Sequence, residues 1–143
     1  MPIYQCVVPE GAVSPDQRAQ MASELTKIHS EATGDSPQLV QALFMEVPEG
    51  SAFTAGEPSR MSNIAGYIRA GRSPEVRAQL FERINAAWTE ITGIPDTQLK
   101  LTLLDIPASW IMQAGMMLPE PGNDEEWLDR VRAKAESLEG ASV

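Results

Sequence analysis

The sequence repeats itself at a fixed spacing, and this repeat limits the folds that the chain can adopt. Ser-Pro at 14–15 recurs at 73–74, and Thr-Gly at 33–34 recurs at 92–93, with the same offset in both cases. An internal duplication is the simplest explanation of such a pattern, so the two halves should fold alike.

Each repeat reads as a strand, a helix and a second strand. In the first, the helix begins after Ser14 and ends at Gly34, and strand-forming runs lie on both sides, the second at 39–47. The second repeat has a strand at 63–69, a helix at about 74–92 and a strand at 99–106. A strand, a crossover helix and a parallel strand form a right-handed β-α-β unit. We therefore predict an α+β fold in which two units share one four-stranded sheet, with both helices on one face.

The domain organisation follows from this repeat. We expect a single domain over residues 1–143, with repeat one at about 2–60, repeat two at about 61–115 and a C-terminal tail at 116–143, in which Trp127 packs a helix onto the body or a neighbour. The sheet face without helices remains partly apolar, so we expect other subunits to cover it in a homo-oligomer.

Composition and charge exclude several classes of function. The formal net charge is −9, which argues against a nucleic-acid partner. No apolar run approaches the roughly 18 residues of a membrane span, and the N-terminus does not resemble a secretory signal, so we expect no membrane partner and a cytoplasmic location. The lone cysteine, Cys6, reads as a buried strand residue. No metal cluster or nucleotide-binding glycine motif is present, so we expect no metal and no cofactor.

Pro2 is the first candidate for chemistry. Removal of Met1 would give Pro2 a free secondary amine, held at a sheet end by the strand that follows. Such an amine can act as a base, an acid or a nucleophile. At the offset of the repeat its counterpart is Met61, which has no free amine, so we expect one site per chain. The alternative is that Pro2 only blocks a sheet edge.

Three further side chains could complete a site. The only histidine, His29, should lie at the border of the apolar face of the first helix, where a structural role is the alternative. Arg69 and Arg72 follow the third predicted strand, directly before a helix N-terminus. Two guanidinium groups beside that positive dipole end suit a carboxylate, the alternative being that both are simply solvated.

Taken together, these features resemble the tautomerase superfamily and, within it, the cis-3-chloroacrylic acid dehalogenase group. The resemblance covers roughly residues 2 to 130. It rests on the order and spacing of Pro2, the duplicated β-α-β pattern, His29 followed by Thr-Gly, the Arg69/Arg72 pair and Leu-Pro-Glu-Pro-Gly at 118–122. It implies a fused pair of 4-oxalocrotonate tautomerase-like units that assembles as a homotrimer.

The resemblance also implies residue roles. The family's catalytic N-terminal proline corresponds to Pro2, its helix histidine to His29, and its two substrate-carboxylate arginines to Arg69 and Arg72. Further positions expected to contact substrate are Thr33, Thr102 and Gln113.

Two of these positions depart from the dehalogenase pattern. Thr102 stands where the dehalogenases have a tyrosine, and Gln113 stands where they have a water-activating glutamate. Glutamine cannot accept a proton from water, whereas tautomerisation needs only an amine base and a group that holds the carboxylate. We therefore expect a tautomerase that acts on a small 2-oxo or 2-hydroxyalkenoate such as phenylenolpyruvate.

The expected charges support Pro2 as a general base. One arginine ~6 Å from the amine, at an effective dielectric constant of about 20, would lower the pKa of the amine by roughly two. An α-amino group that starts near about 8 would then be largely neutral at pH 7.

Two other functions remain open. One is a weak cis-3-haloacrylate dehalogenase or hydratase on the same scaffold. The other is a non-catalytic trimeric binding module that keeps only the fold.

Overall fold

Two β-α-β units form the body of this computed structural model, which describes residues 2–141. The first unit comprises β1 (Ile3–Pro9), α1 (Pro15–Thr33) and β2 (Gln41–Val47), followed by a hairpin of β3 (Phe53–Thr54) and β4 (Glu57–Pro58). The second comprises β5 (Ser62–Arg69), α2 (Pro74–Thr92) and β6 (Leu99–Ile106), followed by a hairpin of β7 (Met112–Gln113) and β8 (Met116–Met117). A last helix, α3, spans Asp124–Ala141.

The four long strands form one sheet in the order β2-β1-β5-β6. Pairing is parallel within each unit and antiparallel between the central strands β1 and β5. The main core joins side chains of α1 and α2 to the same face of β1 and β5, including buried Tyr4, Cys6, Met21, Ile64 and Trp88. The predicted fold class is therefore confirmed, and Cys6 is buried as expected.

The ends of α1 and α2 follow their sequence signals. At α1, Ser14 and Gln17 exchange side-chain and backbone hydrogen bonds in a capping box. At α2, Ser73 accepts a hydrogen bond from the backbone of Val76. Both helices end at a glycine with positive φ, which explains the repeated Thr-Gly pairs.

Strand β2 begins later than predicted. The run 39–47 was expected to be extended throughout, but Ser36 caps a short 3-10 helix at Pro37–Leu39, and the strand starts at Gln41. Leu39 is buried in a second apolar cluster instead of in the sheet.

The two repeats are not related by one constant spacing. Gln41 of β2 pairs with Ile3, whereas Lys100, its counterpart at the offset of the helices, pairs with Asn63. The offset between β1 and β5 is thus one position longer than the offset between α1 and α2. The turn before α2 is one residue shorter than the turn before α1, which restores the original spacing for the helices.

This change of register corrects one prediction. The structural counterpart of Pro2 is Ser62, not Met61. Ser62 is fully buried and, like Met61, lies within the chain.

The sheet face opposite the helices carries large apolar side chains that remain accessible. Leu43, Met45 and Leu104 are each 40 to 46% exposed. Beyond β6, Trp110 and Met112 are exposed to an even greater extent. A single chain therefore presents several accessible large apolar side chains on this side.

Helix α3 packs onto the chain's own body. Trp127 and Leu128 are buried in the second apolar cluster together with Leu39, and the indole N–H of Trp127 donates to the carbonyl of Met117 at 2.8 Å. None of the helices between residues 2 and 141 has the length and apolar character needed to cross a membrane.

Candidate active site

Pro2 lies at one end of the sheet, beside the end of β5. Because β1 and β5 are antiparallel and Ile3 pairs with Tyr67, the start of β1 lies next to Arg69, the last residue of β5. Pro2 is buried, and its carbonyl accepts a hydrogen bond from the backbone N–H of Gln41 at 3.0 Å. The ring is therefore fixed to the sheet end. Met1, whose removal would free the amine, lies outside the described residues.

His29 lies deeper than predicted. It was expected at the border of the apolar face of α1, but it is fully buried, and both ring nitrogens have polar partners there. Nδ1 lies 2.7 Å from the hydroxyl oxygen of Tyr4, and Nε2 lies 2.8 Å from Oδ2 of Asp35. Burial lowers the pKa of His29, although the hydrogen bond and charge of Asp35 act in the opposite direction.

These contacts define the protonation of the histidine. Burial and the charge of Asp35 raise the pKa of Tyr4, so its hydroxyl keeps its proton and donates to Nδ1 of His29. The proton of the neutral imidazole then resides on Nε2 and is donated to the Asp35 carboxylate.

Gly66 pairs with Tyr4 across the sheet, and a Cβ atom there would come within 2.7 Å of the tyrosine ring.

Asp35 is the centre of the site, and the sequence reasoning did not identify it. Its Oδ1 lies 2.8 Å from Nη2 of Arg69. Nη2 of Arg72 donates to both carboxylate oxygens, at 2.6 and 2.7 Å. Burial alone would raise the pKa of Asp35, but the hydrogen bonds from His29 and Arg72 and the two guanidinium charges hold it well below its usual range. We refer to Tyr4, His29, Asp35, Arg69 and Arg72 as the Asp35 cluster.

Arg69 is fully buried and is also held from the C-terminal side. Its guanidinium donates to the carbonyl of Pro119 at 2.8 Å and pairs with the carboxylate of Asp124 at 2.9 Å. Asp124 in turn accepts the backbone N–H of Ser36 at 2.9 Å. The first turn of α3 therefore closes the site from one side.

The cluster and Asp124 together carry no net charge. The two guanidinium groups are balanced by the carboxylates of Asp35 and Asp124, and His29 is neutral. The predicted arginine pair thus lies where expected, but each arginine already has a carboxylate partner.

Thr33 supports this arrangement from the end of α1. Its hydroxyl donates to the carbonyl of His29 at 2.7 Å and accepts the backbone N–H of Asp35 at 3.1 Å. Its carbonyl accepts from Nη1 of Arg72 at 3.3 Å. Thr33 therefore positions the aspartate.

The structure does not bring Thr102 into the cluster. Thr102 is exposed in the middle of β6, on the sheet face opposite the helices. Gln113 lies in the hairpin that follows β6 and is half-buried, and its Oε1 has no hydrogen-bond partner among residues 2–141.

Two positions in the second repeat offered a signal for the missed residue. At the offset that relates the two helices, His29 corresponds to Trp88 and Asp35 to Ile94. A polar pair that replaces an apolar pair at matched positions indicates that the two ends of the sheet differ in chemistry. No group of three or more histidine, cysteine, aspartate or glutamate side chains suited to a metal ion occurs within residues 2–141.

The sequence matches the family model described as putative oxalocrotonate tautomerase enzyme over residues 1–132. The chain belongs to this family. No match was found among curated proteins.

Solved structures agree with membership of this tautomerase family. N1, described as a member of the cis-3-chloroacrylic acid dehalogenase family, is 28% identical with a TM-score of 0.82, and the match covers 87% of this chain and 89% of N1. Native Ps01740 is 37% identical with a TM-score of 0.76, covering 78% of this chain and 99% of Ps01740. A fused 4-OT described as a symmetric trimer shares the fold at 21% identity, with a TM-score of 0.74 and coverage of 81% and 94%.

Proposed function

We propose that the protein is a tautomerase, an isomerase that uses the Pro2 amine as the general base for keto–enol conversion of a small 2-oxo or 2-hydroxyalkenoate of the phenylenolpyruvate type. The observation that carries this proposal is the burial of Pro2 at the same sheet end as His29, Arg69 and Arg72. Membership of the oxalocrotonate tautomerase family supports it.

The proposed reaction needs only one base and an anion site. The neutral amine of Pro2 takes the proton of the enol hydroxyl, the C=C electron pair takes a proton back from the ammonium, and a carbonyl forms. Arg72 is assigned to the substrate carboxylate because its side chain keeps 7% exposure, whereas that of Arg69 is fully buried between Asp35 and Asp124. His29 keeps Tyr4 and Asp35 in place.

We also propose that the chain acts as a homotrimer. The accessible apolar side chains opposite the helices, among them Leu43, Met45 and Leu104, are suited to a subunit interface. The trimers described for fused 4-OT proteins of the same fold support this assembly.

An enol-to-keto assay that compares the wild type with Pro2→Ala tests the proposal. Pro2→Ala leaves a primary amine that the ring no longer holds in place, and kcat/KM should fall by about 100-fold, because misplacing a reacting group costs on that order. Ser62→Ala is the matched control, since Ser62 is the buried structural counterpart of Pro2 in the second repeat. A Pro2→Ala enzyme as active as the Ser62→Ala enzyme would disprove the proposal.

A second candidate is weak hydration or dehalogenation of cis-3-haloacrylate. The 28% identity to N1 over 87% of the chain favours it. Gln113 would limit this activity because an amide cannot accept a proton from water. Gln113→Glu should therefore raise haloacrylate turnover relative to enol turnover, and an unchanged ratio of the two activities would exclude this candidate.

A further inference from the structure

We propose that Asp35 determines how the site discriminates between carboxylates and uncharged ligands, because its own carboxylate occupies the place that a ligand carboxylate would need. The proposal rests on the proposed function only in taking a small carboxylate as the substrate. Everything else in it concerns the binding of anions beside Arg69 and Arg72.

The contacts of Asp35 are those expected of a bound anion. Its two oxygens receive the imidazole Nε2–H of His29, both contacts from Nη2 of Arg72 and the ion pair with Arg69, all within 2.6 to 2.8 Å. Two guanidinium groups and one N–H donor around a carboxylate form a complete recognition site. Here an internal side chain fills it.

The other donors of the two arginines are also engaged or buried. Nη1 of Arg69 binds the carbonyl of Pro119, and Nη1 of Arg72 binds the carbonyl of Thr33. Both Nε atoms are buried without a partner among residues 2–141. Nη2 of Arg72 contacts only Asp35, whereas Nη2 of Arg69 also donates to Oδ2 of Asp124 at 3.1 Å. A ligand carboxylate therefore needs Asp35 to leave before it can reach Nη2 of Arg72.

The charge balance of the cluster and Asp124 also favours the departure of Asp35 when a carboxylate binds. Because Asp35 and Asp124 balance Arg69 and Arg72, an added ligand carboxylate would leave a net negative charge in a buried cluster. Burying an unbalanced charge is strongly unfavourable. Carboxylates should therefore bind by displacing Asp35, whereas uncharged ligands need no displacement.

Asp124 provides a matched control for this argument. It carries the same charge and pairs with Nη1 and Nη2 of Arg69, but its other partner is the backbone of Ser36, whereas Asp35 also binds Arg72. If only net charge mattered, Asp35→Asn and Asp124→Asn would have the same effect on anion affinity. If occupancy matters, only Asp35→Asn will have a large effect.

The test is a titration with benzoate and with its uncharged isostere benzamide, followed by calorimetry, on the wild type and both variants. Asp35→Asn should bind benzoate about tenfold or more tightly than the wild type, since a neutral amide is held less strongly by Arg69 and Arg72 and is displaced more easily. Its affinity for benzamide should stay within about twofold, and Asp124→Asn should gain clearly less for benzoate. Three results would each overturn the proposal: no gain in Asp35→Asn, an equal gain in Asp124→Asn, or an equal gain for benzamide.

A measurement on the wild type covers the case in which Asp35→Asn does not fold. The ¹³Cγ resonance of Asp35 should move on addition of benzoate and stay unchanged with benzamide. An unchanged resonance at saturating benzoate, or at the highest soluble concentration, would overturn the proposal. The enol-to-keto assay of Pro2→Ala is scored independently of this titration, so failure of the catalytic proposal is recognised separately.

Discussion

At the sheet end where β1 begins, α1 supplies His29, and the residue after its glycine cap is Asp35; at the opposite end the matching positions of α2 hold Trp88 and Ile94. His29 and Trp88 are both fully buried, each on the inner face of its helix. The helix–sheet packing therefore accepts either side chain at this position. His29 and Trp88 differ in the side chains that surround them.

A polar residue at this position requires a set of partners. Tyr4, Asp35 and two arginines satisfy His29 and one another, whereas Trp88 sits among apolar neighbours. At the end of the sheet near Met61 lies an open groove of about 520 Å³, lined mainly by the ends of β1 and β2, the turn after β2 and residues 58–61. The same backbone thus supports an ionic site at one end and an apolar packing at the other.

Among exchanges between the two ends of the sheet, replacement of Asp35 should cause the largest loss of stability. Asp35→Ile, which copies Ile94, would leave Arg69 and Arg72 without their shared carboxylate. Removing one partner of a buried ion pair costs about 3 to 5 kcal/mol, so the free energy of unfolding should fall by about that much. Urea unfolding at fixed protein concentration measures it, with Ile94→Val as the apolar control. A loss of under about 1 kcal/mol would show that the arginines find other partners.

The stability of the protein should depend on pH through His29 and Asp35, whereas Trp88 and Ile94 at the matching positions do not titrate. Because the pKa of His29 is lowered on folding, the unfolded chain binds its proton first, and stability should decrease as the pH falls below about 6.5. The limiting slope is about 1.4 kcal/mol per pH unit. A second loss should begin below about 4, since the pKa of Asp35 is also lowered in the folded state. Denaturant unfolding between pH 4.5 and 8 should show the first loss in the wild type and not in His29→Gln.

The pKa of the Pro2 amine should report whether Arg69 and Arg72 are paired with carboxylates. Asp35 and Asp124 balance Arg69 and Arg72, and removing one of these carboxylates in Asp35→Asn should lower the pKa of the amine relative to the wild type. A ¹⁵N NMR titration of Pro2 measures both values, after intact mass has confirmed that Met1 is absent. A wild-type pKa above about 9 would contradict the assignment of Pro2 as a base.

The smallest expected effect on stability comes from the N-terminal caps of the two helices. The capping box of α1 uses Gln17, whereas α2 has Val76 at the corresponding position. Gln17→Val should therefore destabilise the protein by about 0.5 to 1 kcal/mol. Thermal unfolding compared with the wild type measures this, and Val76→Ala serves as the control on the other helix. An unchanged melting temperature would mean that the hydroxyl of Ser14 alone suffices.

The fold was predictable because the repeat, the Ser-Pro helix starts and the glycine ends are local signals. The bounds of α2 and β6 agree with the predicted ranges, whereas β2 begins two residues late because the cap at Ser36 favours a turn. The predicted counterpart of Pro2 was wrong because the turn before α2 is one residue shorter than the turn before α1. This shifts β5 relative to β1 by one position while the helix-start motifs keep their spacing.

The site was only partly predictable. Arg69 and Arg72 stand beside each other as expected, and His29 lies with them. Asp35 was missed because nothing in its local sequence reveals three cationic or N–H partners, and both arginines among them come from the second repeat. Partners of this kind depend on the tertiary fold.

The antiparallel pairing of β1 with β5 has a consequence for how such a chain could evolve. It places the start of one repeat beside the finish of the other, so Pro2 and His29 are inherited from one ancestral copy, while Arg69 and Arg72 are inherited from the other. Neither repeat by itself carries every residue of the proposed site. A chain that lost either repeat would therefore lose that site.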